Sequence, residues 1–446
     1  MQTFFIIWLG QVVSVLGTYI TDFALGVWVY QQTGSITQFA MTIVFMHLPN
    51  LMVSAFAGVL VDRWNRKWIM LASDFSKSVM AVILIVLATS NQLEVWHIYI
   101  AVSLGSFCTG FQWPAYTAAI AQLVPKQNLS RANGMVQISR AVARILGPTI
   151  AGFLVQSIGI RGVLLLNFCT FSVSIISLLA VHFPDVQASI ETRVKTSVQS
   201  VAEKTASLAL VWDEVTSGWN YVAERPGLYR LILFTGIIYL TEGVVQVVFW
   251  PLVLSFGSSS ELGIVLSISG CGMLFGSIAV SAWGGRLGRR VYGILVFVGL
   301  QGLCLCLGGF KASIVVAAIG GFGYLFAQPI IISSSQTIWQ CKIPINLQGR
   351  IFALQSLIER SAMISTQLTI GPLVDRLFEP MMAENGLLAD SVGKMIGVGP
   401  GRGIALLLIL LGMVNIGASI VAYRTPRLRR VEKELPDAIA SNVVSG

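Results

Sequence analysis

Long runs of apolar residues, separated by short polar turns, occupy almost the whole chain. Each run is near the ~20 residues that a helix needs to cross a bilayer. The pattern predicts twelve helical spans, at residues 3–29, 37–61, 69–90, 95–122, 132–157, 160–182, 228–255, 261–284, 291–309, 312–340, 350–374 and 402–423. The two-residue alternation of a barrel strand is absent, and lipid offers unpaired backbone groups no partner, so helices are the expected way across. One long polar interval divides six spans from six. The chain therefore reads as an all-α membrane protein with a six-helix bundle at 1–182, a cytoplasmic linker at 183–227, a second six-helix bundle at 228–423 and a cytoplasmic tail at 424–446. Within the linker, 198–222 has the pattern of an amphipathic surface helix. The first span begins almost at Met1 without a basic leader or a small-residue cleavage site, and is read as a retained helix.

Composition sharpens this picture. Hydrophobic residues make up 55% of the 446 and Asp, Glu, Lys and Arg only 11%, against roughly 25% charged in soluble domains. The net charge of +9 is unevenly placed. With residue 1 in the cytoplasm, the short inner loops and tail carry Arg63, Arg66, Lys67, Lys126, Arg131, Arg286, Arg289, Arg290, Lys342, Arg350, Arg424, Arg427, Arg429 and Arg430. The outer loops carry only Arg161, Lys311, Arg376, Lys394 and Arg402. Positive-inside bias then predicts both termini in the cytoplasm, and the basic charge needs no nucleic-acid partner. The six cysteines lie in or at the ends of spans without metal-ligand spacing, and read as free thiols.

The halves echo each other. Arg63, Arg66 and Lys67 recur about 223 residues later as Arg286, Arg289 and Arg290, and Gly147-Pro148 recurs as Gly371-Pro372. Phe111-x-x-Pro114 is answered by Phe326-x-x-Pro329. A parallel repeat of six-helix units implies a pseudo-two-fold axis along the membrane normal and a ligand site between the halves. In the turn GVLVDRWNRK, Gly58 permits close helix approach and Asp62 suits a neighbouring helix N-terminus. Gly58, Asp62, Arg63, Arg66 and Lys67, with Arg286, Arg289 and Arg290, are the candidate cytoplasmic gate. Position 285 is Gly where the repeat would place an acid, which predicts an asymmetric latch.

At these residues the chain resembles a known family. GVLVDRWNRKWIM is similar to the signature between the second and third helices of the major facilitator superfamily. The opening WLGQVVSVLGTYITDFALGVWVYQQTGS, the segments LVPKQNLSRANG and GWNYVAERPGL, and QGRIFALQS resemble the branch holding enterobactin-type siderophore exporters and macrolide efflux proteins. The helix-five run ARILGPTIAGF, with Gly147, Pro148 and Gly152, is similar to the glycine-proline motif of proton-linked drug exporters, while helix four lacks their arginine-glutamine-glycine signature. The resemblance implies a monomeric, multi-pass protein of the bacterial cytoplasmic membrane. Its expected activity is efflux of siderophores or drugs, as an antiporter or multidrug exporter working by alternating access.

Ionisable residues inside spans are costly in lipid and read as functional. Helix one places Gln11, Ser14, Thr18 and Asp22 on one face, and helix seven Thr235, Tyr239, Glu242 and Gln246; helical spacing puts each set on one stripe. Gln112 and Gln328 are further cavity candidates. Asp22, Glu242 and Glu359 are candidates for proton coupling or substrate contact, with an internal structural role as the alternative. Arg140 and Arg144, one turn apart, would grip a carboxylate or catecholate, or else form a salt bridge with Glu359. His47 is read as a core histidine. Neither a P-loop nor HExxH nor GxSxG occurs, so no enzyme activity, cofactor or metal is expected. The expected partners are a small molecule, protons and the lipid bilayer. The sequence thus predicts a proton-coupled exporter of a small amphiphilic or anionic compound. The rivals are a facilitator or importer of the same fold, and a non-transporting membrane receptor or scaffold.

Overall fold

A computed structural model describes residues 2–125, 128–181, 219–283 and 290–426. Among them every long element is a helix. In chain order these are α1 Gln2–Thr33, α2 Ile36–Arg63, α3 Arg66–Thr89 and α4 Val95–Leu123. The stretch Leu129–Leu179 follows, and Gly159 at φ 66°, ψ −177° breaks it into α5 and α6. After the linker come α7 Pro226–Leu254, α8 Ser259–Trp283, α9 Arg290–Phe310, α10 Ile314–Lys342, α11 Ile345–Leu373 and α12 Arg402–Arg424. Among the described residues nine stretches are long and apolar enough to cross a membrane on length and hydropathy alone, α5–α6 counting once; α4 and α11 are not among them. Both are rich in amide, hydroxyl or charged side chains, which must find protein or a cavity instead of lipid.

Helix ends follow local chemistry. Pro226, expected to close the linker, instead opens α7 at the first helical position, where its missing N–H costs nothing. Trp219–Ala223 is helical; the remainder of the anticipated amphipathic segment and the tail from residue 427 lie outside the described residues. The interval after α11 is ordered by Val374–Phe378, a π-turn, and by glycines at positive φ, including Gly397 and Gly401. There the Glu379 carboxylate accepts from Gly401 N (3.1 Å) and Ile404 N (3.2 Å), and so caps α12.

The chain divides into two units, residues 1–191 with 253–267 and 370–375, and residues 192–252 with 268–369 and 376–446. The first is built on Phe4, Ile7, Met70, Ile120 and Leu178, with a second cluster around Val29, Ile98 and Leu164. It also contains two contacts made by small residues. Thr149 on α5 donates to Ser267 on α8 (2.6 Å), and a Cβ on Gly263 would lie 2.3 Å from the Pro148 carbonyl. Asp375 accepts from Ser35 Oγ, Ile36 N, Thr37 N and Thr37 Oγ1 at 2.6–3.0 Å, capping the N-terminus of α2. The second unit is centred on Leu228, Ile294, Val298, Ile338 and Trp339. There Gly272 and Gly276 bring α8 against the α10 backbone at Phe322 and Phe326, the close approach expected where lipid gives helices little hydrophobic reason to associate.

Large apolar side chains face outward, while the buried polar groups lie among the helices. On α3, Phe75 is 63% and Val86 59% exposed, whereas Asp74 is 0%. In water that arrangement would unfold; in acyl chains it is the stable one.

Candidate functional site

The second unit holds a partly open cavity. Four helices line it: α7 with Thr235, Tyr239 and Glu242; α9 with Gln301; α10 with Gln328, Ser335 and Gln336; α11 with Phe352, Gln355 and Glu359. The α7 residues are three to four apart, so one stripe of the helix faces the cavity. The register between α7 and α11 is set beside it. Gly243, next to Glu242, has no side chain where one would strike Thr366 Oγ1 at 2.1 Å and the Met363 carbonyl at 2.9 Å. One turn on, Gln367 Nε2 donates to Gln246 Oε1 (3.2 Å). This contact brings Glu242 and Glu359 to one cavity.

Each carboxylate has partners. Gln328 Nε2 donates to Glu242 Oε1. Gln355 Nε2 donates to Glu359 Oε1 (2.7 Å), and Tyr239 lines the same cavity. Gln301 is anchored by donation to the Tyr324 carbonyl (3.2 Å). The walls are otherwise apolar, from Ile238, Ile331, Ile332 and Phe352, and no Lys or Arg lines the cavity among the described residues. Two acids, several amides and an apolar wall can hold a lipophilic cation, or protons in its place.

The remaining sequence-derived candidates fall elsewhere. In the first unit, Gln11 and Gln112 are buried together. Gln11 Nε2 donates to Ser174 Oγ (2.8 Å) and Gln112 Nε2 to Gln11 Oε1 (3.3 Å). Thr18 donates to its own helix at Ser14 O (2.9 Å), and Asp22 is half-buried. Arg140 lies over the Trp113 ring at 3.7 Å from its centroid, whereas Arg144 and His47 are exposed, so His47 is not a core side chain. Glu359, the salt-bridge partner considered for these arginines, accepts a hydrogen bond from Gln355. Gly147, Pro148 and Gly152 lie on α5, where Ser260 Oγ donates to the Gly152 carbonyl (3.1 Å). Of the gate residues, Gly58, Asp62 and Arg63 lie in the last turns of α2, with side chains outside the described set; Arg286 and Arg289 lie outside it altogether. Lys67 Nζ donates to Val181 O (2.6 Å), Arg66 starts α3, and Arg290 donates to Cys341 Sγ (3.7 Å). All six cysteines are free thiols.

Sequence reading passed over Asp74 and Lys77 in the middle of α3, and Gln301, Ser335 and Gln355 in the cavity. The two charges carried their own signal, being ionisable residues inside an apolar run. The neutral residues carried none, because only packing decides which amides face a cavity.

A lipid-adapted bundle of long helices with a carboxylate-bearing cavity is the architecture of a membrane transporter. The chain belongs to the Major Facilitator Superfamily, whose family model matches residues 7–366. It is 25% identical over 391 residues to macrolide efflux protein A of Streptococcus pyogenes, covering 86% of this chain and 90% of that one. It is 21% identical over 354 residues to the enterobactin exporter EntS of Salmonella typhimurium, covering 78% and 80%. Among solved structures, a POT family transporter bound to 5-aminolevulinic acid superposes with TM-score 0.64 at 13% identity, covering 96% of each chain. A D-xylose–proton symporter superposes with TM-score 0.60 at 14% identity, covering 97% and 98%. These likenesses carry the fold.

Proposed function

We propose that the protein is a proton-coupled exporter of a small amphiphile that carries a basic nitrogen, of the macrolide type. One observation carries this reading: Glu242 and Glu359 share an apolar-walled cavity that no Lys or Arg lines among the described residues. An amine and a proton compete for the same carboxylates, and mutually exclusive binding is what exchange transport requires. By linkage each weakens the other equally. Protons entering from the outside would release the amine there, and loss of those protons to the cytoplasm would restore its binding site. The efflux relatives support the outward direction, and the basic loops support cytoplasmic termini in a bacterial cytoplasmic membrane. Asp62, Arg63, Arg66 and Lys67, with Arg286, Arg289 and Arg290, would close the cytoplasmic side.

A second reading rests on Arg140. Its guanidinium, 3.7 Å from the centroid of the Trp113 ring, suits a catecholate or carboxylate, and with Arg144 would favour an anionic siderophore.

Proteoliposomes separate the two. With a proton gradient imposed against the substrate gradient, a macrolide carrying an amino sugar should be pumped and a catecholate siderophore should not. Transport of the catecholate alone would overturn the amine reading in favour of the second. Movement of the macrolide without any response to the proton gradient would make the protein a facilitator.

A further inference from the structure

Two polar atoms in the wall of the second unit's cavity lack a partner. Gln301 on α9 is 2% exposed and Ser335 on α10 is 5% exposed, and both line the cavity. Among the described residues neither Gln301 Oε1 nor Ser335 Oγ has a hydrogen-bond partner. Buried polar groups are normally paired, and each one left unpaired costs stability. Both atoms stand apart from the pairs Gln328–Glu242 and Gln355–Glu359, which engage the acids.

The chemistry of each atom is fixed by its surroundings. Gln301 Nε2 donates to the Tyr324 carbonyl (3.2 Å). A carbonyl only accepts, so the amide nitrogen must face it and Oε1 is turned the other way. Oε1 can itself only accept. Ser335 Oγ can give or take a hydrogen bond. Helix hydroxyls commonly bond back to a carbonyl one turn earlier. Thr235, facing the same cavity, does so at Leu231 O (3.0 Å); Ser335 does not. Along α10, Gln301 is tied to Tyr324, four residues before Gln328, and Ser335 comes seven residues after it on the same stripe. At 1.5 Å per residue Ser335 stands ~10 Å along the helix from Gln328. The two atoms thus bracket the level at which Gln328 meets Glu242.

A carboxylate or phosphate brings no proton for Gln301 Oε1 and is repelled by the two acids. An ammonium is drawn to those acids instead. A hydroxyl donates to Oε1, and it either gives to or takes from Ser335 Oγ. We propose that Gln301 and Ser335 form a hydroxyl subsite of the cavity, so that the cargo is a sugar- or polyol-bearing amphiphile and not a plain lipophilic amine. The basic nitrogen sits at the acids, and hydroxyls on either side of it reach Gln301 and Ser335. A ligand lacking them leaves both atoms buried and unpaired, which is how such a site rejects it. This subsite rests on the proposed role of the cavity in transport, and its hydroxyl preference holds with or without the amine.

The test is equilibrium binding to the full chain in lipid nanodiscs, with empty discs as the blank. N-hexylglucamine carries an amine and hydroxyls, hexylamine the amine alone, and hexyl glucoside the hydroxyls alone. N-hexylglucamine should bind about tenfold or more tighter than hexylamine. Gln301→Leu and Ser335→Ala should each shrink that ratio several-fold, and each should weaken hexyl glucoside. Ser335→Ala should also raise the melting temperature of the ligand-free protein, because it removes a buried hydroxyl that the protein does not pair. Equal affinities for N-hexylglucamine and hexylamine, or no binding of N-hexylglucamine, overturn the subsite. So does a ratio that neither substitution changes, or a lower melting temperature in Ser335→Ala, which would reveal a structural partner for Oγ. Hexylamine binding that ignores Glu242→Gln sinks the amine reading alone, and a glucoside response to Ser335→Ala then keeps the subsite. Gln301→Leu also gives up the Tyr324 bond; should it fail to fold, Ser335→Ala, which removes one oxygen, decides the matter.

Discussion

Glu242 and Glu359 differ in what surrounds them, and that difference predicts different variants. Glu242 takes a hydrogen bond from Gln328 across helices, whereas Glu359 takes one from Gln355 of its own helix. Gln328→Leu therefore removes an interhelical bond to a carboxylate, worth about 1.5–3 kcal/mol. The expected outcome is amine binding weakened roughly tenfold or more, measured by equilibrium binding to the purified protein. Glu242→Gln and Glu359→Gln should each weaken the pH dependence of that binding, and the double variant should abolish it, because an amide cannot exchange a proton. Retention of a full pH response in both variants would remove the cavity from the coupling mechanism. Both acids were visible in the sequence as charges inside apolar runs, Glu242 on a polar stripe of its helix; their shared cavity was not. Asp74 was equally visible and was passed over, since nothing local to α3 says that Gln11, Gln112 and Ser174 converge on it.

Helices in this protein meet through small residues, so steric variants read out element packing. A Cβ at Gly243 would stand 2.1 Å from Thr366 Oγ1, whereas one at Gly236 on the same helix meets nothing within 4 Å. Gly243→Ala should destabilise by about 1–3 kcal/mol and Gly236→Ala should be neutral, both followed as melting temperature in detergent. A second element-scale prediction concerns α2. Asp375→Ala removes four hydrogen bonds from its first turn. Losing such a cap costs about 0.5–2 kcal/mol, and amide exchange at residues 36–38 should accelerate while the middle of α2 is unchanged. The apolar runs announced these helices, and Pro226 and Gly159 mark two of their ends. The cap on α2 was illegible because its acid lies more than three hundred residues away.

At the scale of the whole molecule the expectation is exchange. Asp62→Asn should reach the membrane in normal amount and lose most proton-driven efflux, measured in proteoliposomes by release of a preloaded macrolide. Normal transport by this variant would strike the acid from the gate. Apolar periodicity by itself determined that the chain crosses a membrane as helices, because every 20-residue apolar run faces the same demand to satisfy its backbone internally. The hairpin motif and the repeated Arg and Gly-Pro positions carried the family. Tertiary structure alone decided which polar side chains share an interior, and hence which charges compensate one another. Pairing of Glu242 with Gln328, and of Lys77 with Gln112, depends on the rotation of each helix about its axis. That rotation is set by glycine contacts and caps between residues far apart in the chain, and hydrophobicity along one segment carries no record of it.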